Sequence, residues 1–84
     1  MVSGYQITCA NKNPNGMIVR IGGRGWSLSL NEAIMKLVAK QLRLHIRQGN
    51  EFIDIGVRGR GTDAYLVLEP DERPLHEVVG LPSC

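Results

Sequence analysis

The chain has 84 residues, a formal net charge of +2 at pH 7 and a 43% share of hydrophobic residues. This length has room for one small domain with a modest core, and the apolar share is that of a folded chain, which excludes a disordered protein. The basic excess is too small to indicate nucleic-acid binding by itself. No apolar run reaches the roughly 18 residues that a membrane-spanning helix needs.

The compartment is predicted from the first residues and from the cysteines. Met1–Tyr5 lack the basic and apolar regions of a signal peptide, so we expect a cytoplasmic protein. The two cysteines are Cys9 and Cys84, and a reducing cytosol would keep both as thiols. A disulfide between them is the alternative, formed if the C-terminal tail folds back along the first strand.

Two half-buried strands are predicted at the start of the chain. Every second residue is apolar through Tyr5–Cys9, and the same period places Met17, Val19 and Ile21 on the buried side of a second strand. The stretch between them, residues 11–16, is dense in turn residues and predicts a β-hairpin.

A helix is the strongest local signal, and the glycine-rich residues 22–25 give a flexible connection into it. Ser29 is the predicted N-cap, with Glu32 completing a capping box. One apolar stripe with helical spacing follows, so we predict a helix that ends near Lys40 and packs one side on the core. The stripe consists of Leu30, Ala33, Ile34, Leu37 and Val38.

After the helix the period of the apolar residues changes to two. Strands over residues 42–47 and 52–57 are joined by a turn with Gly49-Asn50 at its centre. If Gln48 lies opposite Glu51, all six aliphatic residues of the two strands share one face, which specifies the register. The same register places Arg47 opposite Phe52, His45 opposite Asp54, Leu42 opposite Val57 and Arg43 opposite Gly56.

The last elements complete an α+β fold. Residues 58–63 form a turn-rich loop, residues 64–69 form a fifth strand, and Pro70 ends it. The element order ββαβββ predicts one largely antiparallel five-stranded sheet with a single helix packed on one face. We expect one domain over residues 1–84, with residues 70–84 as a tail packed on it.

The uncovered face of this sheet is the predicted binding surface, because it carries cations beside aromatic rings. Such residues are enriched at the centres of protein interfaces and also stack on nucleic-acid bases. The predicted binding residues are Arg20, Arg43, His45, Arg47, Phe52, Asp54 and Tyr65.

Two Arg/Gly loops suggest contact with phosphate, since glycines expose backbone N–H groups and guanidinium groups fit phosphate oxygens. They supply Arg24, Arg58 and Arg60 to a nucleic-acid alternative. The opposing interpretation is that the glycines serve turns and the arginines keep loop tips soluble.

Catalysis and metal binding are not predicted. His45 opposite Asp54 is the one acid–base pair whose geometry follows from the register, and an open sheet offers no cleft around it. The cysteines and histidines lack the close spacing of metal ligands, and no cofactor motif is present.

Several segments together resemble the domain of unknown function 3892 family of small bacterial proteins. They are Ile7-Thr8-Cys9, residues 18–23 ending in glycines, Trp26-Ser27-Leu28-Ser29 leading to Ala33-Ile34, and the ending Leu81-Pro82-Ser83-Cys84. The resemblance implies a small self-contained domain of bacterial or mobile-element origin, with no activity to transfer.

The sequence therefore predicts a non-enzymatic binding module whose partner is a protein, with a second copy of the chain as one candidate. A phage regulatory protein would have the same features. A weak single-stranded nucleic-acid binder is the alternative.

Overall fold

A computed structural model describes residues 3–78 and 80–84 of the chain. Met1, Val2 and Val79, which belong to the predicted N-terminal segment and tail, lie outside the described residues. The described elements are β1 (Ser3–Gln6), β2 (Cys9–Lys12), β3 (Ile18–Gly23), β4 (Trp26–Ser29), α1 (Leu30–Val38), β5 (Leu42–Gln48), β6 (Glu51–Arg58), β7 (Tyr65–Leu68) and β8 (Arg73–Pro74). Two short 3₁₀ helices cover Gly61–Asp63 and Leu75–Glu77.

The strands form two sheets instead of the single sheet that was predicted. One sheet has five strands in the order β1-β5-β6-β7-β8, and the other has three in the order β2-β3-β4. All neighbours are antiparallel except β1 and β5, which are parallel. The predicted α+β class with one helix is confirmed within the described residues, whereas the single, largely antiparallel sheet is wrong.

The sheet prediction fails because the first strand changes sheets in its middle. The Ile7 N–H donates to the His45 carbonyl on β5 at 2.8 Å, and the Thr8 N–H donates to the Gly22 carbonyl on β3 at 2.9 Å. Residues before this point pair with β5, and residues after it pair with β3. Ile7 and Ala10 are buried and Cys9 is only partly buried, so the alternation through Cys9 that the sequence predicts is broken at this bend.

The predicted first hairpin exists between β2 and β3, but its buried side differs from the prediction. The ladder shifts between Asn11 and Lys12, where Lys12 faces Ile18 and Asn11 faces Arg20. Val19 is the extra residue of this β-bulge and is 45% exposed, while Ile18 is buried. One additional residue thus reverses which positions of the strand face the core, and a uniform period of two cannot reveal it.

The predicted flexible connection into the helix is a tight turn followed by an additional strand. Gly23 pairs with Trp26, so Arg24 and Gly25 alone form the turn between β3 and β4. Gly25 has a φ of 81°, a conformation that glycine adopts readily in two-residue hairpin turns. Four residues of β4 then lead directly into the helix cap.

The second hairpin has the predicted register. Gln48 faces Glu51, and the ladder continues through Arg47–Phe52 and His45–Asp54 to Leu44–Ile55. The ladder ends at Leu44–Ile55, so the predicted pairs of Leu42 and Arg43 are not part of it.

The helix begins at the predicted cap and ends two residues before Lys40. Ser29 accepts from the Glu32 backbone, and the Glu32 carboxylate accepts from the Ser29 backbone, which completes the capping box. The helix packs against strands of both sheets, so it fills the space between them. Val38, which was predicted on the buried stripe, is exposed because it lies at the last turn of the shortened helix.

The core gathers aliphatic side chains from both sheets, the helix and the tail, and it is the reason that the two sheets stay together. Its buried members are Ile7, Ala10, Ile18, Ile21, Ala33, Leu42, Leu44, Ile46, Ile55, Leu66, Leu68, Leu75 and Val78.

The end of the chain runs along the free edge of β2. The Ala10 N–H donates to the Pro82 carbonyl at 2.9 Å, and the Cys84 N–H donates to Asn11 Oδ1 at 2.8 Å. Cys9 and Cys84 form a disulfide, with their Cα atoms 4.9 Å apart. The prediction of two free thiols is therefore wrong, and the alternative, a tail that returns to the first strand, is the arrangement found.

The disulfide is expected to stabilise the fold, because it closes a loop with a sequence separation of 75 residues. Cys84→Ser should lower the free energy of unfolding by about 2–4 kcal/mol, through the entropy that the unfolded chain regains. Urea unfolding without reductant measures this, with Ser83→Ala as the neighbouring control. Reductant should bring the wild-type protein to the stability of the variant; equal stability without reductant would show that the bond does not form.

The capping box predicts a specific pH dependence. Hydrogen bonds from the Ser29 side chain and backbone lower the pKa of the Glu32 carboxyl. A carboxyl with a lowered folded-state pKa stabilises the fold above its ordinary value of 4.5, and this stabilisation is lost as the pH falls through the folded-state pKa.

The melting temperature of Glu32→Gln should therefore fall less than that of the wild-type protein between about pH 6 and about pH 3. Glu51→Gln, which changes an exposed carboxylate with no hydrogen bond within the described residues, is the matched control. If both variants follow the wild-type curve, the box contributes nothing to stability.

Candidate binding face

The side of the five-stranded sheet that points away from the core is called the outer face below. Because side chains alternate along each strand, β5 and β6 place every second residue on this side. Its members among the predicted binding residues are Arg43, His45, Arg47, Phe52, Asp54 and Tyr65. The structure therefore places six of the predicted residues on one sheet face, with Tyr65 at the opposite end of β6 from Phe52.

An exposed aromatic residue lies next to the turn of the β5–β6 hairpin. Phe52 is 64% exposed, although residues of this type are usually buried. Its ring packs edge-on against the His45 ring, with centroids 5.3 Å apart and planes at 88°. The two residues are diagonal neighbours across the strands, a distance that rings can span.

Two arginines flank these rings. Arg47 lies directly across from Phe52, and its Nε donates to the Gly49 carbonyl at 3.0 Å, which holds the side chain near the hairpin turn. Arg43 forms an ion pair with Asp54 at 3.7 Å, and both side chains are more than 60% exposed. An exposed pair of this kind contributes at most about 1 kcal/mol, so both groups are available to a partner.

The predicted His45–Asp54 pair exists in register, but the carboxylate pairs with Arg43 instead of the imidazole. The nearest aromatic partner of His45 is Phe52. Among the described residues, the His45 ring donates no hydrogen bond to the Asp54 carboxylate.

Arg58, at the end of β6, is bound within the protein. Its guanidinium group forms ion pairs with Glu72 and, at 3.3 Å, with Glu69. The hydrogen bond with Glu72 is the main cause of a raised pKa for Arg58. The Glu69 carboxylate occupies the space above Gly56 that a Cβ atom would need. Two carboxylates thus neutralise a cation that was predicted to bind phosphate.

The remaining predicted cations are in other parts of the fold. Arg20 lies on β3 in the three-stranded sheet and donates to Ser27 Oγ at 2.9 Å, so its predicted place on the outer face is wrong. It was misplaced because β3 was assigned to the same sheet as β5. Arg24 lies in the β3–β4 turn, and Arg60 is exposed in the loop after β6.

The sequence patterns did not identify His76 as a neighbour of the outer face. Its ring lies 6.5 Å from that of Tyr65, because the tail continues past β8 alongside β7. A two-residue strand after Pro70 has too few residues to show a period of two, so nothing in the sequence placed His76 there.

The two glycines at the end of β3 have a packing role. A Cβ on Gly22 would lie 3.1 Å from the Cys9 sulfur and 3.2 Å from the Cys84 sulfur. A Cβ on Gly23 would lie 2.3 Å from both the Gln6 carbonyl and Trp26 Nε1. These two positions allow the disulfide and the indole ring to lie against the backbone.

A cavity of about 370 Å³ opens where the β5–β6 ladder ends. Leu37, Leu42, Leu44 and Ile55 provide its apolar walls. Its charged residues are Lys40, Arg43, Asp54 and Glu69, and the last three already form ion pairs within the protein. Three of the four charged side chains that line the cavity therefore have an ion-pair partner within the protein.

No cluster of three or more histidine, cysteine or acidic side chains suited to a metal ion occurs among residues 3–78 and 80–84. In the same residues, no helix has the length and apolar character that crossing a membrane requires. Comparisons with protein-family models, with curated proteins and with solved structures find no match to this chain.

The packing role of Gly23 can be tested by one methyl group. Gly23→Ala should destabilise the fold by about 1–3 kcal/mol, because the new Cβ overlaps Trp26 and the Gln6 carbonyl. Gly4→Ala is the matched control, since its Cβ would meet only His45 at 4.0 Å. Thermal unfolding compares the two; a Gly23→Ala protein as stable as Gly4→Ala would contradict the packing role.

Proposed function

We propose that the chain is a non-enzymatic module that binds a protein partner through the outer face, with a second copy of the chain as one candidate partner. The observation that carries the proposal is the exposed Phe52 ring, which lies between cationic residues on a sheet face opposite the core. An aromatic ring with arginines around it is typical of the centre of a protein interface.

The pairing of charges favours a protein over nucleic acid as the partner. Arg43 has Asp54 as a counter-ion, and Arg58 has two carboxylates, so part of the predicted phosphate-binding charge is already neutralised. A nucleic-acid interface concentrates unpaired cations on one side of the protein. Single-stranded nucleic-acid binding by Arg47 and the aromatic rings stays the alternative.

The absence of an assembled acid–base pair on the outer face supports a binding role over an enzymatic one. His45 packs on Phe52, and Asp54 pairs with Arg43, so neither group holds the other for proton transfer.

The cytoplasmic location and the resemblance to the domain of unknown function 3892 family stay predictions. The disulfide bears on the predicted cytoplasmic location, because disulfides persist in oxidising compartments and are rare in a reducing cytosol. A cytoplasmic protein would therefore hold Cys9 and Cys84 mainly as thiols. Alkylation of the thiols in intact cells distinguishes the two cases.

A single substitution tests the interface. Phe52→Ala should weaken self-association, or binding to an identified partner, by about 2 kcal/mol or roughly 30-fold, as truncation of a central interface residue does. Met35→Ala is the matched control, since Met35 is an equally exposed apolar residue on the helix. Sedimentation velocity over a range of concentrations measures self-association, and loss of affinity in both variants alike would contradict the proposal.

The same protein samples also test the alternative that the partner is a single-stranded nucleic acid. Binding of a fluorescent single-stranded oligonucleotide should fall steeply with salt and be abolished by the double charge reversal Arg43→Glu, Arg47→Glu, if nucleic acid is the partner. A protein that stays monomeric and binds no oligonucleotide would eliminate both self-association and the nucleic-acid alternative. A heterologous protein partner whose binding needs Phe52 would then be the remaining form of the proposal.

A further inference from the structure

The strand β1 has a free edge that the outer face does not include. Successive residues of a strand direct their N–H and C=O groups to opposite edges. The Ile7 N–H donates to β5, so the odd-numbered residues of β1 pair with β5. Gly4 and Gln6 therefore direct their backbone groups the other way, where the five-stranded sheet has no further strand. The Gln6 carbonyl lies against Gly23 on this side, so the open part of the edge consists of the Gly4 N–H, the Gly4 carbonyl and the Gln6 N–H.

A cavity lies directly on this free edge. It has a volume of about 370 Å³, and Gly4, Tyr5 and Gln6 form one side of it. Arg24, Gly25 and Trp26, from the β3–β4 turn, form the opposite side. The turn thus provides a wall for any chain that lies beside β1.

A second cavity shares Tyr5 and Trp26 with the first. It has a volume of about 230 Å³ and includes both of these residues together with Leu28, Leu42, Lys36 and Gln41. The Tyr5 and Trp26 rings meet edge-on with centroids 5.6 Å apart, and Tyr5 is 38% exposed. The two cavities along β1 are called the edge groove here.

The charge of the edge groove has one sign. Arg24 lines the first cavity and Lys36 lines the second, and the described residues that line them include no carboxylate. Neither cation forms an ion pair or a side-chain hydrogen bond within the described part of the chain. A ligand that occupies both cavities would therefore be favoured by negative charges near these two side chains.

We propose that the edge groove binds an extended acidic peptide segment of a partner protein, which adds as a strand to β1. The N–H and carbonyl of Gly4 and the N–H of Gln6 would pair with the peptide backbone, as in other cases of strand addition. Alternate apolar side chains of the peptide would pack on the two sides of the Tyr5–Trp26 pair. Acidic residues before and after them would face Arg24 and Lys36.

Strand addition can be tested by removing a single hydrogen-bond donor, the backbone N–H of Gly4. Gly4→Pro removes the outward N–H and leaves the β1–β5 hydrogen bonds in place, since proline is tolerated on an edge strand. Gly4→Ala keeps the N–H and introduces a Cβ in ordinary contact with His45, so it is the matched control. A library of random linear peptides is the probe, and enriched peptides are synthesised and measured by fluorescence anisotropy.

We expect the enriched peptides to alternate apolar residues between Asp or Glu residues. Gly4→Pro should weaken their binding by about five- to ten-fold, the value of one backbone hydrogen bond, whereas Gly4→Ala should not. Arg24→Glu should abolish most of the binding and Arg24→Lys should retain it. Phe52→Ala should leave it unchanged, so this experiment is independent of the outer face.

Three results would overturn the proposal: no enriched peptide, enriched peptides without acidic residues, or equal affinity in Gly4→Ala and a folded Gly4→Pro. Thermal unfolding establishes that Gly4→Pro is folded. If that variant unfolds, amide hydrogen exchange of the wild-type protein decides, since bound peptide must slow exchange at Gly4 and Gln6. Unchanged exchange at both amides would reject strand addition.

Discussion

Two neighbouring amide groups attach one segment of the chain to both sheets, and this attachment sets where the sheets lie relative to each other. The Ile7 N–H bonds to β5 and the Thr8 N–H bonds to β3, so one continuous segment belongs to both sheets. The close approach of backbone at this bend requires the small residues Gly22 and Gly23, against which the disulfide and Trp26 pack. Ile7 itself is buried, and the core closes over the bend from inside.

The parts of the fold that local spacing determines were predictable. The β5–β6 register follows from a two-residue turn and from six aliphatic residues that must share a face, so Leu44–Ile55 and Arg47–Phe52 pair as expected. The helix start follows from Ser29 and Glu32, whose side chains act over three residues. In each case the residues that specify the structure are close in sequence.

The parts that depend on distant contacts were not predictable from one sequence. Val19 takes the extra position of the bulge because β2 and β3 shift against each other, and an alternating pattern cannot show this shift. Parallel pairing of β1 with β5 joins segments that are far apart in the chain. The disulfide depends on where the tail runs. The spacing of the cysteines alone is compatible both with two free thiols and with a disulfide.

The candidate binding face was predictable where it depends on the β5–β6 hairpin. His45, Phe52 and Asp54 share a face because their register was specified, and their presence there needed no knowledge of the second sheet. Arg20 was misplaced for the opposite reason, since its strand belongs to the other sheet. The pairing of Arg58 was also missed, because Glu69 and Glu72 reach it only through the turn after β7.

The Cys9–Cys84 bond makes the chain between those residues a covalent ring. A single cleavage of the backbone anywhere within this ring would leave its pieces joined in one molecule. The ring contains the helix and every described strand except β1, which precedes Cys9. The strand with the free edge is thus held to the rest by hydrogen bonds, packing and one peptide connection, outside the loop that the sulfur atoms close.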